Sequence, residues 1–317
     1  MLTFERERAA DRDEFRHALL AGLSRHPRAI PPKFLYDARG SELFDQICDL
    51  PEYYLTRTET EILKRHAADI ASRAGPGRAL IEFGSGSSVK SRLLLDALEK
   101  LALYSPLDIS RQHLDRTAAG LRRDYPGLRI APICADYMSP TGLPVIDDAA
   151  PRLGFFPGST IGNLEPHDAE LFLRRARALL AHDGALVLGA DLKKDRQRLH
   201  DAYNDRAGVT AQFTLNLLVR ANRELGADFD VDGFAHDAFY NSTEGRIEIY
   251  LKSLRRQSAT VAGRRFDFAD GERVHAEYSY KYDGADIDRL ARASGFAVAE
   301  TWTDPEKLFA VVYVTAI

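Results

Sequence analysis

Ala79-Leu80-Ile81-Glu82-Phe83-Gly84-Ser85-Gly86 decides the reading of this chain. The first five residues form a short apolar run interrupted only by Glu82, which suits a buried strand. Two glycines then allow a tight turn with exposed backbone N–H groups. Beyond the turn a helical pattern runs from about Ser88 to Leu101. Strand, glycine turn and helix in that order open a doubly wound sheet, where ligands settle beyond the carboxyl ends of the strands.

The alternation continues outward from this unit. Strands are predicted up to Asp108, up to Cys134, at Leu153 to Phe156 and at Ala185 to Asp191, with helices from Ser110 to about Asp124 and over 166–181. Strands separated by helices imply right-handed crossovers and a parallel sheet covered on both faces. Upstream, amphipathic helices are predicted over 11–25 and 58–73, with the Pro31-Pro32 pair breaking the pattern between them. The second carries Ile62, Leu63, His66, Ile70 and Ala71 on one stripe.

After residue 193 the rhythm changes. From about 194 to 223 the pattern is helical, and Phe234 to Tyr282 read as short β runs with hairpin turns at Asn241-Ser242, Ala262-Gly263 and Asp270-Gly271. A helix near 284–294 and β runs at Phe296 to Thr303 and Leu308 to Thr315 predict an antiparallel hairpin added to the sheet edge. The expected fold class is α/β, with a doubly wound, Rossmann-like sheet over 57–193 plus 282–317. A second, discontinuous α+β substrate-binding domain is expected over 1–56 plus 194–281.

Composition narrows the function. The 317 residues are 45% hydrophobic and 28% charged, enough for a buried core, and 43 Lys and Arg against 47 Asp and Glu leave no basic footprint for nucleic acid. Cys48 and Cys134 stand far apart without C-x-x-C spacing, which points to a reducing compartment and away from structural zinc. The charged start MLTFERERAADRDEF is unlike a secretory signal, and no stretch approaches the ~18 apolar residues of a membrane span. A cytoplasmic chain acting on a small molecule, without nucleic acid, membrane or metal, is the expectation.

Three ligand classes compete for the glycine turn. A dinucleotide fingerprint needs a third glycine where Val89 stands, and a phosphate-binding loop needs glycine immediately before Lys90-Ser91, where Val89 stands again. A nucleoside with an amino-acid tail needs the acidic residue before a two-glycine turn and a second acid ending the next strand. Asp108 meets that need as an acceptor for two ribose hydroxyls, and Asp136 ends the third strand in Cys134-Ala135-Asp136-Tyr137. Singly, such an Asp is more often a helix cap or turn former. This pattern resembles the class I S-adenosylmethionine methyltransferases.

A more specific likeness covers nearly the whole chain. Phe34-Leu35-Tyr36-Asp37-Ala38-Arg39-Gly40-Ser41-Glu42-Leu43-Phe44, Leu50-Pro51-Glu52-Tyr53-Tyr54, Glu82 to Arg92, Pro157-Gly158-Ser159-Thr160-Ile161-Gly162-Asn163-Leu164, Tyr203-Asn204-Asp205 and His275-Ala276-Glu277-Tyr278-Ser279-Tyr280-Lys281 stand in order. Together they resemble the histidine-specific Nα-methyltransferases of ergothioneine biosynthesis. The resemblance implies three methyl transfers to L-histidine, giving hercynine, with S-adenosyl-L-methionine as cofactor. It implies that Gly84, Gly86, Lys90, Asp108, Asp136 and Tyr137 contact the cofactor. Asn163 and Tyr203 would hold the α-carboxylate, Tyr36 would lie beside the reacting amine as the catalytic residue, and Tyr53, Glu277 and Ser279 would face the imidazole.

The residue types suit those roles. Asn and Tyr donate to a carboxylate without adding charge. Glu277 and Ser279 share a face of a strand read from 273 to 280, because alternate residues do. On its own that face reads as solvated. Tyr278 and Tyr280 flank Ser279, and Ile249 stands where the resemblance leads one to expect methionine. N-methylation of another aromatic amino acid such as a tryptophan derivative, and a non-catalytic nucleotide sensor, are the competing readings.

Overall fold

The computed structural model describes residues 2–86, 89–139, 149–181 and 183–317, and the side chains of all of these except 2–10, 112 and 113. The chain divides into two compact units. One comprises Met1–Tyr53 with Asp195–Ser279, the other Tyr54–Lys194 with Tyr280–Ile317.

The first unit begins with α1 (Leu2–Ser24), longer than the predicted 11–25. Phe15, Leu19 and Leu23 are buried at four-residue spacing along one stripe. A short 3-10 turn at Pro32–Leu35 follows the proline pair, and α2 (Ala38–Asp49) follows that. Asp37 starts α2 by accepting the Gly40 N–H at 2.7 Å, the usual way of satisfying an orphan donor at a helix start. Gly40 is required there, because a Cβ would fall 1.8 Å from the Leu35 carbonyl oxygen.

The second unit starts with α3 (Tyr54–Ala74) and β1 (Ala79–Phe83), every residue of which is buried. Then come α4 (Val89–Ala97), β2 (Leu103–Asp108), α5 (Arg111–Asp124), β3 (Ile133–Cys134), β4 (Arg152–Phe156), α6 (Pro166–Leu180) and β5 (Ala185–Asp191). The predicted helix start at Ser88 lies outside the described residues, and α4 ends at Ala97 rather than continuing to Leu101. Adjacent residues of β1 meet different helices. Phe83 packs against Phe172 of α6 at 5.2 Å between ring centroids, while the Glu82 carboxylate receives the Ser91 hydroxyl of α4 at 2.6 Å. Since successive side chains point to opposite faces of a sheet, the sheet is covered on both.

The chain then returns to the first unit. The helical stretch expected over 194–223 forms as two helices, α7 (Arg196–Tyr203) and α8 (Val209–Leu225). Gly208 takes a left-handed φ of +71° just before α8, and the Asp205 carboxylate caps the new helix by accepting Val209 N–H and Thr210 N–H, both at 2.8 Å. The strands β6 (Phe234–Asn241), β7 (Arg246–Ser253), β8 (Gln257–Val261), β9 (Arg264–Phe268) and β10 (Arg273–Tyr280) complete the unit. They form a three-stranded sheet in the order β10-β7-β6 and a separate β8-β9 pair. Asn241-Ser242 and Ala262-Gly263 lie in hairpin turns as expected. Asp270-Gly271 does not, because β9 and β10 belong to different sheets.

The second unit closes with α9 (Gly284–Ala293), β11 (Phe296–Thr303) and β12 (Phe309–Ala316). Its sheet runs β11-β12-β5-β4-β1-β2-β3, with β12 antiparallel to β5 and to β11 and the other pairings parallel. The terminal hairpin is thus added to the edge, as its sequence predicts. Strands are added outward in one direction from β1 and in the other from β4, so the loops after these two parallel neighbours flank the crevice in which such sheets bind ligands.

Asp205 holds the break between α7 and α8. Burial pushes its carboxyl up, yet the hydrogen bonds from Thr210 and Val209 outweigh burial and leave it below its usual value. Asp205→Ala is expected to cost about 1 to 2 kcal/mol in urea unfolding near neutral pH. The stability from a lowered carboxyl is present above the unfolded value and vanishes as pH falls through the folded one. The gap between variant and parent should therefore close in acid, and a gap independent of pH would contradict the assignment.

Candidate active site

The cofactor candidates converge on the switch point of the large sheet. After β1, Gly84 and Gly86 take left-handed φ of +74° and +43°, and among the described residues, chain neighbours aside, no atom lies within 4 Å of a Cβ built on either. Those residues leave space beside the backbone of the turn. Gly84 N–H donates to the Leu107 carbonyl at 2.8 Å, which ties the turn to the end of β2. There Asp108 accepts Ser110 N–H at 2.9 Å with one oxygen, while the other lies 3.5 Å from Gly86 N–H. Asp136 folds its own loop by accepting Met138 N–H at 2.7 Å, and the Tyr137 ring packs on Phe156 and Phe172 at 5.6 and 5.2 Å. An open glycine cradle, two half-buried carboxylates, an aromatic face and the Lys90 ammonium form a donor and acceptor set that fits S-adenosylmethionine.

Glu82 has a different place from the ligand-facing one its sequence position invites. Its carboxylate is buried behind the turn, where Ser91 and Tyr104 donate to it. Burial raises its pKa to about 7, against the lowering effect of those two hydroxyls and of Lys90. Lys90 itself is paired with Glu59, a fully buried acid of α3 that the sequence reading did not single out.

The loop after β4 is equally constrained. Gly158 and Ser159 take consecutive left-handed φ of +79° and +56°. The Ser159 hydroxyl accepts the backbone N–H of Asp191 at 2.9 Å, and Tyr282 donates to the Ile161 carbonyl at 3.2 Å. Gly162 leaves room for the Tyr280 backbone, whose carbonyl oxygen would be 2.7 Å from a Cβ. These contacts fix the short 3-10 turn Thr160–Asn163, and hence Asn163, in this unit.

The other substrate candidates, Tyr36, Tyr53, Tyr203, Glu277 and Ser279, gather in the first unit. The Tyr36 ring meets Phe44 of α2 and Phe213 of α8 edge-on at 5.5 and 5.3 Å. Phe44 continues the wall to Tyr53, and Tyr53 to Tyr203, with centroids 6.3 and 6.1 Å apart. The Tyr203 hydroxyl pairs with the Ser279 hydroxyl at 2.8 Å. Burial, then the neighbouring Tyr203, Cys48, Tyr36 and Glu277, hold the Tyr53 phenol well above its ordinary pKa, so it stays a neutral donor. Glu277 and Ser279 are both buried, and so the face that reads as solvated in the sequence is interior.

Tyr203 is anchored from behind. Its carbonyl can only accept, so His236 must carry its proton on Nε2, 2.8 Å away, and its Nδ1 lies 2.9 Å from the Thr214 hydroxyl. Burial lowers the His236 pKa and keeps the ring neutral. Tyr278 lies against His275 at 3.8 Å and under the Arg246 guanidinium at 3.8 Å. Ile249 is buried in β7, paired with Ala238, and Tyr280 belongs to the other unit.

A second feature absent from the sequence reading lies at the end of β5. The fully buried Asp191 carboxylate accepts Tyr54 OH on both oxygens at 2.9 Å, pairs with Lys281 at 2.8 Å and also binds Lys194. Burial, reinforced by the Lys281 charge and opposed by Asp191, brings the Lys194 pKa down to about 8. Asp191 ends a strand as Asp108 does, which is a signal the sequence offered. Glu59, inside a helix, offered none. Among the described residues, no helix is long and apolar enough to cross a membrane.

Comparison with known proteins shows the family. A family model described as histidine-specific methyltransferase, SAM-dependent, matches residues 15–316. The chain is 43% identical over 298 residues to a histidine N-alpha-methyltransferase of Mycolicibacterium smegmatis, covering 92% of each chain. It is also 43% identical over 294 residues to the protein of that name from Mycobacterium tuberculosis, covering 91% of each. It is 32% identical over 294 residues to ergothioneine biosynthesis protein 1 of Neurospora crassa, covering 87% of this chain and 32% of that longer one.

The raised Glu82 carboxyl has a measurable consequence. Between about 4.5 and about 7 the folded chain keeps a proton that the unfolded chain has lost, so this group reduces stability as pH rises through that window. Glu82→Gln removes the titration. The variant should gain on the parent by roughly 2 kcal/mol between pH 5 and pH 8 in urea unfolding. A constant difference across that range would show that Glu82 is ionised throughout.

Proposed function

The chain belongs to the histidine-specific, S-adenosylmethionine-dependent methyltransferases, and we propose that it methylates the α-nitrogen of L-histidine three times to give hercynine. The observation that carries the substrate is a buried acid, Glu277, beside Ser279 and Tyr203 behind a wall of aromatic rings. A carboxylate accepts from one imidazole N–H while a hydroxyl addresses the other nitrogen, so both edges of the ring are read. Phenylalanine and tryptophan cannot satisfy both groups, and a buried acceptor left unpaired is costly. The runner-up, another aromatic amino acid, is less well supported than histidine, since the relatives at 43% identity carry the histidine name.

Bound S-adenosylmethionine supplies a methyl group activated by a sulfonium. The residues of the chain position the acceptor and its surroundings. Gly84 and Gly86 offer backbone and space, Asp108 accepts from the ribose hydroxyls, Asp136 and Tyr137 address the adenine, and Lys90 faces the amino-acid tail. Asn163 and Tyr203 donate to the histidine carboxylate. An α-amine with a reference pKa of about 8 has a neutral fraction near neutrality, so orientation matters more than a strong base. Tyr53 is held protonated and serves as a donor, not a base. Tyr36 gives the amine a hydroxyl and a ring face, and a ring accommodates the growing cationic bulk by ~0.5 to 2 kcal/mol.

Two measurements test the reading. Glu277→Ala should lower selectivity for histidine over phenylalanine by about ten- to a hundredfold, which corresponds to roughly 1 to 3 kcal/mol for an unpaired ring N–H. An unchanged ratio, or a parent enzyme that prefers tryptophan, would sink the histidine assignment. In a mass-spectrometric time course with excess methyl donor, the parent should reach the trimethyl product and stop, because a quaternary nitrogen has no lone pair. Tyr36→Phe should turn over more slowly and accumulate mono- and dimethyl species, and an unaffected variant would return Tyr36 to a packing role.

A further inference from the structure

Glu59 is an acid with no direct part in the reading above, yet it is wholly buried between Lys90 and the loop after β4. Both of its oxygens accept the Gly158 N–H, at 3.0 and 2.8 Å, and its Oε2 pairs with the Lys90 ammonium. The surroundings are shaped for it. A Cβ at Gly189 of β5 would fall 2.1 Å from Glu59 Oε1, so a strand residue is reduced to glycine where the carboxylate lies. The pair is asymmetric, with side-chain exposure of 17% for Lys90 and 1% for Glu59. The cation is therefore partly open to solvent while its counterion is sealed from it. Lys90 follows the glycine turn of β1 and Gly158 follows β4, so one carboxylate fixes a group on each side of the switch point.

We propose that Glu59 is a positioning residue that lets the site favour the sulfonium-bearing methyl donor over its neutral thioether product. The proposal rests on the placing of Lys90 at the cofactor tail. Donor and product share the adenosine and the zwitterionic tail, and differ by the methyl group and one positive charge at sulfur. With Glu59 ionised behind it, Lys90 adds no net charge to the crevice and can still hold the tail carboxylate. Without that counterion, a bare ammonium would repel the donor and leave the product almost untouched. A misfolded site would weaken both ligands together, so their ratio separates the electrostatic role from a structural one.

Calorimetric titration of the full chain with S-adenosylmethionine and with S-adenosylhomocysteine reads that ratio directly. Glu59→Gln keeps the shape and the acceptor for Gly158, and should raise the donor-to-product ratio of Kd values about three- to tenfold, the effect of one charge across roughly 10 Å of partly screened space. Lys90→Gln should weaken both ligands and move the ratio the opposite way. The charge-neutral double variant should return the ratio close to that of the parent. If Glu59→Gln does not fold, Lys90→Gln, altered at a partly exposed side chain, tests the sign by itself. Glu59→Gln weakening both ligands equally would overturn the proposal, as would Lys90→Gln weakening both at a fixed ratio. Lys90→Gln with both affinities at parental values would instead remove Lys90 from the cofactor site, and the proposal with it.

Discussion

The buried carboxylate of Asp191 is the interaction on which the larger unit depends. It carries Tyr54, Lys194 and Lys281 on its two oxygens, and its backbone N–H rests on the Ser159 hydroxyl. The chain enters or leaves this unit at residues 54, 194 and 280, so each passage lies within one residue of a group bound to Asp191. A carboxylate taken out of water is tolerated only when paired and hydrogen-bonded, and removing a partner leaves an uncompensated charge. Two ammonium groups on one carboxylate also leave a surplus positive charge, one reason the Lys194 pKa falls to about 8.

Two further buried acids do comparable work at neighbouring strand ends. Glu82 joins β1 to α4 through Ser91 and to β2 through Tyr104, and Glu59 joins α3 to α4 and to the loop after β4. Each uses its oxygens on protein donors, which fixes the backbone around the crevice. Asp108 and Asp136, by contrast, are half-buried at their strand ends. In this unit interior acids build the frame, and those at the crevice can meet a ligand. The first unit instead sets one buried acid, Glu277, among aromatic rings. Tyr53, held protonated by burial, can donate to a carboxylate without bringing a charge of its own.

Much of this architecture was legible in the sequence because its signals are local. The strands at Ala79, Leu103, Arg152 and Ala185 are apolar runs set off by glycine, proline or a terminal acid, and the hairpin turn at Ala262-Gly263 carries a glycine, the residue that left-handed φ favours. The helical pattern over 194–223 is borne out, but it does not show that the stretch divides into α7 and α8. The break at Tyr203-Asn204-Asp205 contains no proline, and only the Asp205 side chain, turned onto the N–H groups of α8, shows where the new helix begins. Helix α2 has no counterpart in the sequence reading, and its capping acid, Asp37, stands within the stretch that carries the family resemblance.

By itself the sequence determined the doubly wound α/β class, the glycine turn with its strand-end acids, and the ordered motifs that mark the family. Those features depend on residues a few positions apart, over which backbone geometry repeats. Tertiary structure alone decided that the face bearing Glu277 and Ser279 is interior, that Glu82 turns away from the crevice, and that Glu59 and Asp191 are its hidden supports. Glu59 meets partners 31 and 99 residues away, and Asp191 meets Tyr54 across 137. No periodicity reaches that far along the chain, because such pairs exist only once folding has brought the strands side by side and excluded the water that would otherwise screen them.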